Sequence, residues 1–346
     1  MKMNPLGRSG IMVSRICLGT MTFGQQNSPD EAYRQLDMAV DHGVNFLDTA
    51  EMYSFPGRAE TQGKSEEIIG DWMAARGNRD KIVVATKITG PSDGMKYIRA
   101  GKQRFNRGQV AEAVNSSLKR LKTDVIDLYQ THWPERNANY FGKLDYPHTD
   151  DDDFTPMEEQ LDALSEQVKA GKVRAIGVSN ETPWGLMKFL EISERTGVAR
   201  IAAIQNPYNL ICRQFEVGLS EVAIREDAGL LAYSPLAFGA LTGKYLGGQL
   251  PDASRHKLFP QFMRYFKAGG VRATEAYVRL ARDHGLEPSQ MALAFVNSRR
   301  FLTANIIGAT TEKQLKSNLD TEDITLSDEV MAGIEAIHTE NSNPAP

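Results

Sequence analysis

Four residues of this chain have the types and the placement for one reaction. Asp48 and Tyr53 lie in VNFLDTAEMY, Lys87 ends IVVATK, and His132 lies in VIDLYQTHWP. Each stands at or just past the end of an apolar, β-branched run that reads as a strand. A phenol can donate a proton, a lysine can tune that phenol, an aspartate can hold the lysine, and an imidazole can orient a carbonyl. Together they suit the reduction of an aldehyde or ketone.

Singly these residues are ordinary. A buried tyrosine usually packs in a core with its hydroxyl given to a backbone oxygen, and a Lys–Asp pair can simply seal the end of a barrel. Lys87 argues for more, because an ammonium ending IVVAT points into low-dielectric surroundings where an unpaired charge is costly. It needs a carboxylate, and Asp48 on the neighbouring strand is the natural partner. Their pairing would leave positive charge beside Tyr53, favouring phenolate and lowering a pKa of about 10. His132, beside Trp133 and Pro134, is a fourth polar residue at the same rim, which makes coincidence a poor account.

The elements that must position these groups repeat along the chain. Eight short runs read as strands: ICLGT, VNFLD, IVVATK, VIDLYQ, VRAIGVS, AAIQN, LLAYS and NIIGA. Helical patterns separate them, and no linker-like boundary or early GxGxxG fingerprint intervenes. The expected fold is therefore α/β, a single-domain (β/α)8 TIM barrel over residues 1–346, with a flexible tail from about 339. Ser28–Glu31, Thr155–Glu158 and Thr311–Gln314 fit capping boxes that open helices. Val110, Val114, Leu118 and Leu121 share one helical face, as do Met157, Leu161, Leu164 and Val168, and both stripes should face the core. Connections at about 88–106, 133–154 and 246–272 exceed ordinary loop lengths and should lie at the C-terminal mouth of the barrel.

Composition narrows the function classes. The net charge is −4, hydrophobic residues make up 41% of the chain, and no apolar run approaches a membrane span. Neither a nucleic acid nor a membrane is expected as a partner, and no secretory signal opens the chain, so a cytoplasmic protein is expected. Cys17 and Cys212 read as reduced structural thiols. The six histidines are scattered and only His132 ends a strand, which leaves no ligand cluster for a metal-dependent hydrolase.

Longer motifs carry a resemblance. GTMTFG, LDTAEMY, ATK, DLYQTHWP, GKVRAIGVSN, IQNPYNL, LLAYSPLAFGALTGKY and IIGATTEKQLKSN follow one another in order over nearly the whole chain. The sequence resembles the aldo-keto reductase family, most closely its bacterial Tas-like members. That resemblance implies a (β/α)8 barrel using NADPH/NADP+ on a small-molecule carbonyl substrate, with a catalytic tetrad at Asp48, Tyr53, Lys87 and His132. It implies nicotinamide amide contacts from Ser179, Asn180 and Gln205, with Tyr233 stacking on the ring and further cofactor contacts from Thr20, Met21 and Asp48. Ser234, Pro235, Leu236, Leu241, Gly243, Lys244 and Arg255 would serve the pyrophosphate. Gly308, Thr310, Thr311, Gln314 and Asn318 would surround the adenosine 2′-phosphate, although many NADPH-selective relatives carry arginine where Gln314 stands. The substrate pocket would include Met21, Tyr53, His132 and Trp133.

Two further readings stay open at this stage. Channel β-subunits resemble the same family and hold NADPH with slow chemistry, so an NADPH-binding redox sensor is the alternative to a working reductase; the asparagine expected there in place of His132 favours the reductase. The loop after the third strand carries Lys96, Arg99, Lys102 and Arg104, and that after the fourth carries Asp145 and Asp150–Asp153. Their attraction could hold a lid with Trp133, Tyr140, Phe141 and Tyr146 beneath it, or both loops could simply be solvated.

Overall fold

The computed structural model describes residues 1–150, 152–252 and 254–346. An N-terminal hairpin, β1 (Met3–Pro5) and β2 (Met12–Ser14), precedes the repeats. Eight parallel strands then close into a barrel: β3 (Ile16–Gly19), β4 (Phe46–Asp48), β5 (Val83–Ile88), β6 (Ile126–Thr131), β7 (Val173–Ser179), β8 (Ile201–Pro207), β9 (Gly229–Tyr233) and β10 (Leu302–Ile307). They follow one another around it, and β10 closes on β3. The eight expected runs are these eight strands. The hairpin is an addition, and its Leu6, Ile11 and Val13 join the apolar layer inside the barrel.

The helices are α1 (Pro29–Asp41), α2 (Lys64–Arg76), α3 (Arg107–Leu121), α4 (Met157–Lys169), α5 (Pro183–Thr196), α6 (Phe215–Arg225), α7 (Arg255–Leu258), α8 (Ala268–Asp283), α9 (Pro288–Asn297), α10 (Glu312–Leu319) and α11 (Asp328–Glu340). Both expected stripes, on α3 and α4, face the core, with Leu118 and Val168 only partly covered. Ser28 opens α1 with a full capping box. Thr311 caps α10 through Gln314 N–H, but the Gln314 side chain accepts from Thr310 N–H, one residue earlier than a box requires. Thr155 caps nothing: its N–H and hydroxyl both donate to the buried carboxylate of Glu135, at 2.6 and 3.0 Å. A carboxylate outcompetes an end-of-helix amide for the hydroxyl because the charge-assisted bond is stronger.

Strand period decides what faces inward. Phe46, Val83, Ala85, Leu128, Ala175, Ala203, Leu231 and Ala304 fill the barrel interior. Two residues on from these inward positions, toward the C-terminal ends, stand Asp48, Lys87, Gln205 and Tyr233. Alternation thus converts an apolar floor into a polar rim within a single residue pair per strand.

Among their described residues, the long connections at 88–106 and 133–154 contain one short 3-10 turn between them, Arg99–Gly101. The expected loose tail is instead docked. Ala345 is fully buried with its N–H on Ile211 O at 3.1 Å, Asn343 Oδ1 accepts from Arg213 N–H at 2.6 Å, and Arg264 Nε donates to Pro346 O at 2.7 Å. Cys17 and Cys212 are unpaired and buried.

Candidate active site

Lys87 is completely buried. Its Nζ donates to Asp48 Oδ2 at 2.6 Å and to Thr49 O at 2.8 Å, while Asp48 Oδ1 accepts from Gln205 Nε2 at 2.8 Å. After β4, Thr49 N–H is taken by Ala85 O and Glu51 N–H by Lys87 O, so the turn bearing Tyr53 runs along the end of β5. That turn brings the Tyr53 ring to within 5.1 Å of Lys87 Nζ, measured to its centroid, and edge-on to His132 at 5.6 Å. All four sequence-identified residues therefore meet at one end of the barrel.

Burial drives their protonation states. It pushes the Lys87 ammonium down, but Asp48 and Tyr53 more than reverse this and the net shift is upward, keeping the cation charged. Burial also raises Tyr53 above its ordinary value, with Lys87 opposing only in part. The expected lowering of Tyr53 is thus overturned: desolvation of a phenolate, with the Asp48 charge beside it, outweighs Lys87 and Arg255 together. The phenol holds its proton at neutral pH, the state in which it can act as an acid. Burial, and then the Lys87 charge, keep His132 well below its ordinary value, so its imidazole is neutral with one N–H to donate. Its Nδ1 finds no partner among the described residues.

A cavity of about 1440 Å3 opens over these groups. That exceeds the roughly 300–1,000 Å3 of a site for one drug-sized ligand, leaving room for a dinucleotide and a small substrate together. Tyr53, His132, Trp133 and Met21 line it, as do Thr20, Asp48, Ser179, Asn180, Gln205 and Tyr233. Farther along are Ser234, Pro235, Leu236, Lys244 and Arg255, then Gly308, Thr310, Thr311, Gln314 and Asn318. Leu241 and Gly243 do not line it. The turn Ala237–Thr242 directs the Leu241 side chain into the core, and Gly243, at φ +77°, backs onto Val278. Met95, Phe55 and Phe262 also form the wall, and no sequence motif pointed to them.

The far end of the cavity suits an anion. Arg255 Nε has no partner, and its guanidinium lies 4.5 Å from the Phe238 ring centre without a carboxylate against it among the described residues. Lys244 and Lys313 line the same cavity, and the capped start of α10 presents a positive dipole end. These residues fit a phosphorylated dinucleotide.

The aldo/keto reductase family profile matches residues 15–339, from the start of the barrel through α11. The chain belongs to the aldo-keto reductase family. It is 49% identical over 347 residues to Protein tas of Escherichia coli (strain K12), covering all of both chains. It is 34% identical to the uncharacterized oxidoreductase YrpG of Bacillus subtilis, over 94% of this chain and 92% of that one. It is 30% identical to a probable voltage-gated potassium channel subunit beta of Oryza sativa, over 97% and 96% respectively. As an aldo-keto reductase the chain is an NADP-dependent oxidoreductase with the family's (β/α)8 barrel. No described helix is long and apolar enough to cross a membrane. Among the described residues, no group of three or more His, Cys, Asp or Glu is placed to hold a metal ion.

The two rim loops of this aldo-keto reductase meet through part of the expected charge pairing, Arg104 with Asp153, while Arg99 departs from it. Arg99 turns inward to Glu51, and Arg104 crosses to Asp153 and to the buried Glu135, both at 2.8 Å. Asp152 accepts from Asn137 N–H and Asp150 faces His148, while Asp151 lies outside the described residues. Trp133, Tyr140 and Phe141 line the cavity; Tyr146 does not, and is exposed beside His148. A buried carboxylate between loops holds more firmly than an exposed acidic run, whose charges stay solvated.

Proposed function

We propose that this aldo-keto reductase reduces an aldehyde or ketone to an alcohol using NADPH, with Tyr53 as general acid. The observation that carries the reading is the buried Lys87–Asp48 pair beneath the Tyr53 ring with a neutral His132 at its edge. NADPH, when bound, would supply the hydride to the carbonyl carbon. Tyr53 gives its hydroxyl proton to the carbonyl oxygen, and the phenolate so formed faces the Lys87 ammonium. Lys87 thus acts by stabilising that phenolate, offsetting in part the burial that raises the phenol. Asp48 holds Lys87 in charge and place, and His132 donates an imidazole N–H that orients the carbonyl. The apolar wall of Trp133, Tyr140, Phe141 and Met95 suits an aromatic or aliphatic carbonyl substrate. Arg255, Lys313 and the start of α10 support NADPH over NADH, and Ser179, Asn180 and Gln205 support binding of the nicotinamide amide.

The test is turnover of a generic aromatic aldehyde with NADPH, followed by absorbance. Tyr53→Phe should lower kcat by at least about 10²-fold with NADPH affinity nearly unchanged. Near-normal turnover in that variant would remove Tyr53 from the role. A wild-type protein that binds NADPH but reduces no carbonyl would favour the redox-sensing alternative.

A further inference from the structure

One buried ion pair ties the turn bearing Tyr53 to the loop at 88–106. Glu51 stands two residues before Tyr53. Its two carboxylate oxygens accept from Arg99 Nη1 at 2.8 and 2.7 Å, and one of them also takes the Thr89 N–H. The side chains are 4% and 5% exposed, and neither residue lines the cavity. Arg99 further donates from Nη2 to Thr89 O at 2.9 Å and from Nε to Gln109 Oε1 at 3.2 Å. It thereby joins three pieces: the Tyr53 turn, the segment just past β5, and the first turn of α3.

The backbone at this hub is held in an unfavourable form. Arg99 and Ala100 have φ of +43° and +53°, where a β-carbon is crowded. Such conformations persist where the surroundings over-determine them. Replacing a buried ion pair with apolar side chains is often neutral for stability, so what this pair does supply is geometry: it holds three separate segments together.

What the pair positions is the wall facing the carbonyl. Pro91, Ser92 and Met95, from the tethered loop, line the cavity. Trp133 Nε1 donates to Pro91 O at 3.0 Å, and Gly90 packs so closely that a β-carbon there would lie 2.5 Å from that nitrogen. Ile98, next to Arg99, is buried with Ala50, Met52 and Trp133. Displacing Arg99 would therefore move both sides of the substrate pocket while leaving the cofactor end, on β7 to β10, untouched.

We propose that Arg99, through Glu51 and Thr89, is a positioning residue that sets the width of the carbonyl pocket and so the enzyme's discrimination by substrate size. The kinetic part rests on the carbonyl-reductase reading above; the structural part does not. Arg99→Met should raise KM for a bulky aromatic aldehyde at least about tenfold more than KM for a short aliphatic one, with kcat within about threefold and NADPH Kd within about twofold. Arg99→Lys should fall between, because an ammonium can meet Glu51 without making the forked contacts. Hydrogen exchange of the cofactor-free protein should speed up across 88–106 in Arg99→Met and stay unchanged over β7–β10. An unchanged ratio of the two KM values, equal losses for both aldehydes, or unchanged exchange at 88–106 would overturn the proposal. If Arg99→Met does not fold, Gln109→Leu, which keeps the Arg99–Glu51 pair but removes the Nε partner together with the Gln109 bonds to Arg104 N–H and Lys102 O in the same loop, should shift the same ratio in the same direction by a smaller factor, and no shift overturns the proposal. If wild type reduces no carbonyl, the functional reading fails and the exchange measurement alone decides the tether.

Discussion

Lys87→Met separates the chemistry of the buried pair from its contribution to folding. Lys87 is fully buried and the Asp48 side chain is 4% exposed, so removing the ammonium leaves a carboxylate with Gln205 Nε2 as its remaining side-chain donor. Breaking a buried pair in this way costs about 3–5 kcal/mol. Unfolding entropy of about 2.1 cal/mol/K per residue, over a chain of 346 residues, turns that into a fall in Tm of about 4–7 °C. The Gln205 bond places the expectation at the lower end. Turnover should fall by at least about 10²-fold, because the phenolate of Tyr53 would form without its counter-charge. Asp48→Asn/Lys87→Met removes the orphaned charge and keeps an amide oxygen for Gln205, so its Tm should return to within about 2 °C of wild type, as neutral replacements of buried pairs commonly do. It should remain inactive. Differential scanning calorimetry of the three proteins gives the comparison. A double variant as unstable as Lys87→Met would refute the claim that Asp48 is the group left uncompensated.

Arg255→Ala should weaken NADPH more than NADH by about 1.5–3 kcal/mol, the size of a charge-assisted hydrogen bond, as read by fluorescence titration; equal losses would put Arg255 on the pyrophosphate shared by both cofactors. His132 gives a pH signature with a definite sign. Its folded pKa lies well below the ordinary value of about 6.5, so below that pH the unfolded chain binds a proton that the folded protein does not, and stability falls with pH. His132→Gln abolishes this loss, and its Tm should gain on wild type by about 2 °C for each pH unit below 6.5, from about 1.4 kcal/mol per unit and the same unfolding entropy. A Tm difference independent of pH would mean that the imidazole is not held neutral.

Much of the site was legible in the chain itself. Strand runs ending in Asp48, Lys87 and His132, with β alternation, were enough to place polar groups at one barrel rim, because a residue's face follows from its neighbours' parity. The barrel followed in the same way from the repeated strand–helix pattern, and the Ser28 cap from a four-residue motif. Tertiary structure decided what depends on sums over distant groups. Whether Tyr53 is raised or lowered turns on how completely folding strips water from it against the Lys87 and Arg255 charges, and desolvation won. Thr155 met Glu135 rather than its own helix, Arg99 met Glu51 rather than the acidic loop, and the tail docked on Ile211 and Arg264. In each case a charged or buried partner from elsewhere in the chain offered more than the local one. Leu241 turned into the core for the related reason that a tight turn, not a motif, sets its direction. Local pattern specifies the element and the face; which carboxylate, donor or solvent a side chain meets is fixed only when packing brings remote segments together.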